Sequence, residues 1–185
     1  GMVSAGVQAS DIYCYDATGW EGVSVSGRPI PSYFRDKITA AVPGVKYIGH
    51  SGCSNTIQST HGKNASLNVT FHATTGTIPT RKLADILSDA TYLINMPLLK
   101  GHSGDTAMPV TLGFKNHCGS IDYVYASNAQ SSLHSYMEVG NGTYYRQAYS
   151  PLVDIYLNTN IKDKTILTVG DGLFGSLGGQ NVDGT

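Results

Sequence analysis

The stretch Leu93-Ile94-Asn95-Met96-Pro97-Leu98-Leu99-Lys100-Gly101-His102-Ser103-Gly104-Asp105-Thr106 decides how the rest of this chain is read. An apolar strand over 92–95 leads into a loop that carries a lysine, a histidine and glycines. Asp105 or Thr106 can then cap a helix over about 107–117, with Pro109 tolerated in its first turn. Gly113-Phe114-Lys115-Asn116-His117-Cys118-Gly119 closes the unit with a second basic cluster. Strand, loop and helix in succession are the building unit of α/β folds. Rigid elements that aim polar side chains from a loop are also where binding chemistry collects.

The same alternation continues outward. Residues 11–15 read as a first strand ending at Asp16, and Pro29 and Pro31 open a helix over 32–42. Phe34, Ile38, Ala41 and Val42 fall at helical spacing, and Gly44 closes that helix. A short strand over 45–48 precedes a loop over 49–64, long for a compact domain. Over 65–73, Leu67, Val69 and Phe71 alternate with Asn68, Thr70 and His72, the period of a half-buried strand. Leu83, Ile86, Leu87 and Ala90 predict a helix over 81–90. Downstream, the polar, tyrosine-rich residues 121–149, with Asn141-Gly142 as a turn, read as an insertion over the core. Ser150-Pro151 starts a last helix, and a buried strand over 165–169 reaches Gly170-Asp171-Gly172. The expectation is a single α/β domain over 1–185 with an open, mostly parallel or mixed sheet and helices packed on its faces. Strand 65–73 is an edge or antiparallel addition, and the units are too few for a closed eightfold barrel.

Composition narrows the function classes. Charged residues are 14% of the 185, against about 25% in an average protein, and Gly and Tyr (22 and 12) are prominent. Such a weakly charged polar surface leans toward an extracytoplasmic, exported setting. The net charge of -1 and the lack of any Lys or Arg run argue against nucleic acid and anionic membrane surfaces. No apolar run approaches the 18 or so residues of a membrane span. Cys14, Cys53 and Cys118 are odd in number and form no C-x-x-C. That spacing disfavours structural zinc, an iron–sulfur cluster held by this chain, and a disulfide framework. Three buried thiols fit it better than one disulfide with a spare thiol. Gly1-Met2 reads as a scar of tag removal, so any native signal peptide is expected to be missing here.

Three islands of residues carry a resemblance. The first is Ala90-x-x-Leu93-Ile94-Asn95-Met96-Pro97-x-Leu99-Lys100-x-His102, with Thr111-Leu112-Gly113-x-Lys115-Asn116-x-x-Gly119 following. The second is Leu167-Thr168-Val169-Gly170-Asp171-Gly172, and the third is the N-terminal run from Ala5 to Asp16. Taken in their order along the chain, the three islands resemble the family catalogued as domain of unknown function 362. The resemblance implies a core excised from a longer protein, since members carry sequence on both sides of these islands. It also implies possible partnership with an iron–sulfur protein or domain, because some members are fused to a ferredoxin-like segment. No activity, cofactor or catalytic residue comes with it.

The candidate site gathers Lys100, His102, Thr106, Lys115, Asn116, His117 and Asp171. Backbone N–H groups at a helix start, with a lysine and glycines nearby, can hold phosphate, sulfate or carboxylate. The loop follows a strand end, where open α/β sheets bind ligands. The bland reading gives Lys115 to the dipole at a helix C-terminus and Asp171 to a turn. No P-loop, G-x-G-x-x-G or G-x-S-x-G occurs. His50, His61, His72, His102, His117 and His134 form no metal spacing, and only a fold that joined His102, His117 and Asp171 could build a metal site. Three readings stay open: a site for a small anionic molecule, a redox-associated module beside iron–sulfur partners, and an exported interaction domain presenting Tyr144, Tyr145 and Tyr149.

Overall fold

The computed structural model describes residues 1–16, 24–25, 28–50, 57–72, 78–100, 113–122 and 150–176. It is a mixed α/β structure of short, mostly parallel sheets with helices. Two compact units divide it, residues 1–60 and 61–185.

In the first unit, β1 (Tyr13–Asp16), β4 (Lys46–His50) and β5 (Ile57–Ser59) form a parallel sheet in the order β1-β4-β5. The two-residue strands β2 (Ser24–Val25) and β3 (Arg28–Pro29) pair antiparallel just before helix α1 (Ile30–Ala41). Gly44, at φ +98, lets the chain turn after α1 in a conformation that other residues rarely adopt. The chain then enters β4, where Tyr47 and Ile48 are buried, as is Val45 just before it. At the sheet's edge, Lys46 Nζ donates to Tyr13 Oη at 2.8 Å from above the same ring.

The second unit holds the larger core. Leu67, Val69, Ile78, Leu83, Leu87, Ile121, Ile155 and Ile161 make one buried cluster, with Phe71, Leu93, Leu152 and Tyr156 packed against it. The expected strand over 65–73 is half right. A 3-10 turn at Ala65–Leu67 runs into β6 (Asn68–Val69), and the alternation of buried Leu67 and Val69 with exposed Asn68 holds through it. Asn64 explains the turn, since its Oδ1 accepts from Ser66 N at 3.0 Å and favours a local turn over a ladder.

The helix predicted over 81–90 is corrected. Arg81–Lys82 form β7, antiparallel to β6, and Leu83 and Ala84 make isolated bridges to Ile121 and His61. Helix α2 is confined to Ile86–Asp89. Periodicity misled here because Leu83 and Leu87, four residues apart, both meet the cluster without one helix joining them. Ile121, read as the start of the insertion, is itself buried in the cluster. Residues 123–149, including Tyr144, Tyr145 and Tyr149, lie outside the described residues.

Helix α4 (Pro151–Leu157) starts at the proline the sequence marks, and Asn158 then caps α5 (Thr159–Lys162) by accepting from Asn160 N at 2.9 Å. The Asn158 and Asn160 amides both donate to Ser66 O, so the helix pair is stitched to the 3-10 turn. Asp154 of α4 accepts from the backbone N and faces the ring Nδ1 of exposed His72, clipping the chain beyond β6 to this helix.

Two parallel strand pairs follow one another along the chain. Strand β8 (Leu93–Asn95) pairs with β10 (Thr165–Thr168), and β9 (Leu98–Lys100) pairs with β11 (Asp171–Ser176). Pro97 supplies no N–H at the junction, which accounts for the break between the two ladders. Val169 N still reaches Asn95 O at 2.8 Å. The strand over 165–169 is not buried as expected: Ile166, Leu167 and Val169 are exposed. Asp171 does not end that strand in a turn but opens β11. Among the described residues no strands close into a barrel, and no helix is long and apolar enough to cross a membrane.

Candidate functional site

Of residues 93–106 the structure describes β8 and β9, and a helical turn that begins at Gly113 is bonded to Asn95 of β8. Lys100 is the last residue of β9 and Asp171 the first of β11; Asp171 stands opposite Leu98, and Lys100 opposite Ser176. These two candidates thus share one parallel strand pair. His102 and Thr106 lie outside the described residues.

The remaining three candidates follow one another on a single turn. Lys115 and Asn116 end helix α3 (Gly113–Asn116), and His117 begins the 3-10 turn His117–Ser120. Most of the helix expected over 107–117 lies outside the described residues, and its described end tightens into 3-10 geometry, as helix ends commonly do.

The tie between this turn and the strands is Asn95. Only 6% exposed, it donates Nδ2 to Gly113 O at 3.0 Å and accepts from Asn116 Nδ2 at 2.7 Å through Oδ1. A buried amide with partners at both ends avoids the penalty of an unmade hydrogen bond. Phe114 stacks obliquely on Tyr156 of α4 with ring centroids 4.7 Å apart, which holds the turn from its other side.

His117 is the unusual member. Its ring is 6% exposed and lies 6.5 Å, centroid to centroid, from that of Tyr156. Nδ1 faces Ser120 Oγ at 3.4 Å, while the buried Nε2 has no hydrogen-bond partner among the described residues. Burial pushes its pKa down to about 4, so the imidazole is neutral at physiological pH. Beside it, the Cys118 thiol is raised, chiefly by burial, with the Lys115 ammonium acting in the opposite sense. It is therefore a protonated thiol and not a nucleophile. Cys14, in the first unit, is likewise free and raised by burial. Among the described residues no three His, Cys, Asp or Glu side chains gather as a metal site.

The sequence reading picked out Lys115, Asn116 and His117 but passed over Asn95, Ser120 and Tyr156. Asn95 had a signal: asparagine is depleted in strands, so one within an apolar run implies a specific partner. Ser120 and Tyr156 had none, because only folding brings Tyr156 to the turn.

A family model described as a domain of unknown function, DUF362, matches residues 8–185, nearly the whole chain. No curated protein and no solved structure matches it.

Proposed function

The chain belongs to the DUF362 family, and from that premise we propose that it binds a small anionic molecule at a site drawn from the 100–106 loop, the 115–117 turn and Asp171. Lys100 and Lys115 supply positive charge. His102, Thr106 and Asn116 supply hydrogen bonds, and Asp171 orients the ligand or its neighbours. The observation that carries this reading is the buried Nε2 of His117, which has no hydrogen-bond partner among the described residues. Native structures leave few buried polar atoms unsatisfied, and those that remain call for a bound partner or a catalytic role. In the tautomer in which Nδ1 accepts from Ser120 Oγ–H, the ring's proton resides on Nε2, which then donates to an anionic oxygen. A neutral donor of this kind binds without the cost of burying a second charge.

Titration calorimetry with inorganic phosphate and sulfate tests the reading. The wild-type protein should bind at least one of them, and the double variant Lys100→Ala/His102→Ala should lose binding while keeping its melting temperature. Equal binding by variant and wild type would remove the site from this loop.

A further inference from the structure

Arg81 stands where a sheet ordinarily places an apolar residue. In the β6–β7 ladder Val69 pairs with Arg81 and Asn68 with Lys82, and residues directly opposite one another share a face. Val69 and Leu83, the cross-strand partner of Arg81 and the residue two positions after it, both belong to the buried cluster. Asn68 and Lys82, on the other face, are exposed. The alternation therefore sets Arg81 on the core side of the ladder, where it is only partly exposed. Its Nε is buried and has no hydrogen-bond partner, and among the described residues no carboxylate pairs with its guanidinium. The acids of the neighbouring elements are held by backbone N–H groups instead. Asp85 Oδ1 accepts from Lys63 N at 2.8 Å, and Asp122 Oδ1 accepts from Lys82 N at 2.9 Å.

We propose that Arg81 forms a second anion site, separate from the one described above, and that it takes a small oxyanion from solvent. An arginine cannot shed its charge to escape burial, because the guanidinium stays protonated throughout the physiological range. Without a counter-charge the folded protein bears the cost of desolvating that cation. Of the guanidinium nitrogens, Nε alone is buried without a partner, so the oxyanion meets the outer pair, Nη1 and Nη2. Their parallel N–H bonds match two oxygens of one carboxylate or phosphate group. Because the inner end of the group is already out of water, the attraction is screened less than at an exposed cation such as Lys82.

Thermal unfolding in inorganic phosphate, compared with chloride at equal ionic strength, is the test. An anion that binds only the folded state raises the melting temperature by mass action. The wild-type protein should gain about 2–4 °C, the scale of a roughly fivefold stabilisation in a chain of this size. Phosphate also stabilises proteins in general through exclusion from their surface, so the control must carry the same charge change. Arg81→Met and Lys82→Met each remove one positive charge from adjacent residues; the first should lose the gain and the second should keep it. Lys100→Ala/His102→Ala should also keep it, which separates this site from the one at the 100–106 loop. Should Arg81→Met fail to fold, Arg81→Lys, which keeps the charge and loses the paired N–H bonds, should lower the gain. No gain in the wild type overturns the inference, as does an equal gain in the wild type and the Arg81 variant. Equal losses in Arg81→Met and Lys82→Met overturn it too, since they reduce the effect to net charge. A gain lost in Lys100→Ala/His102→Ala but kept in Arg81→Met assigns the anion to the loop instead.

Discussion

The cluster around Leu83 and Ile155 and the strand pair β8–β10 belong to the same unit, yet they use apolar residues in opposite ways. In the cluster, Leu67, Leu83, Ile155 and Ile161 are wholly buried by short, irregular pieces: a 3-10 turn, two-residue strands, isolated bridges and two small helices. In the strand pair, the more regular of the two, Ile94, Ile166 and Leu167 are exposed, as are Met96 and Val169 just beyond its ends. Parallel strands ordinarily lie covered on both faces. Regular backbone geometry and the location of the core are thus separate matters here. Stability resides in the irregular cluster, while the turn tied to β8 by Asn95 carries Lys115, Asn116 and His117 of the proposed site.

The sharpest way to break that comparison is a matched pair of truncations. Leu83→Ala, in the cluster, should cost about 2–5 kcal/mol in urea unfolding. Ile166→Ala, on the strand pair, should stay within about 0.5 kcal/mol. Comparable losses at the two positions would mean that the strand pair is covered after all.

A second test concerns the α3 turn. The folded protein holds His117 near 4, whereas the unfolded chain protonates it at the ordinary 6.5. Between those values the unfolded state takes up a proton that the folded state refuses. The stability linked to this residue is fully present above about pH 6.5 and falls as pH drops toward 4, by an amount of the order of 3 kcal/mol. Urea midpoints at pH 7.5 and pH 5 should show the decline, and His117→Phe should flatten the part that this residue contributes. An unchanged slope in the variant would mean that the imidazole is solvated in the folded protein.

The smallest effect is expected at the surface. Lys63 and Asp89 pair near the cluster with both side chains substantially exposed. Asp89→Asn should change stability by less than about 1 kcal/mol, and added salt should shrink the difference. A larger loss would mark this ion pair as part of the structural core.

Local signals were legible where they were chemically specific. Pro151 and Gly44 marked the start of one helix and the end of another. The alternation of Leu67, Asn68 and Val69 gave the correct inward face even though part of the segment is a 3-10 turn. Periodicity failed at residues 81–90, because a four-residue spacing of leucines satisfies a helix and a bent chain equally well. Of the candidate site, the sequence supplied Lys115, Asn116 and His117 as neighbours on one turn. It could not supply their states. His117 is an ordinary imidazole until Tyr156, about forty residues later, closes beside it, and Asn116 is a free amide until Asn95 turns it.

What the sequence by itself determined is the family, through the residue islands that carry it, and the caps and breakers at several element ends. Caps, breakers and motif spacing act within a few residues of one another, so they are written in the chain. What only the tertiary structure decided is which apolar residues form the core, which strand faces stay exposed, and which polar atoms are buried without a partner. Each of those depends on desolvation by residues distant in sequence, and burial is a property of the folded assembly that no local pattern contains.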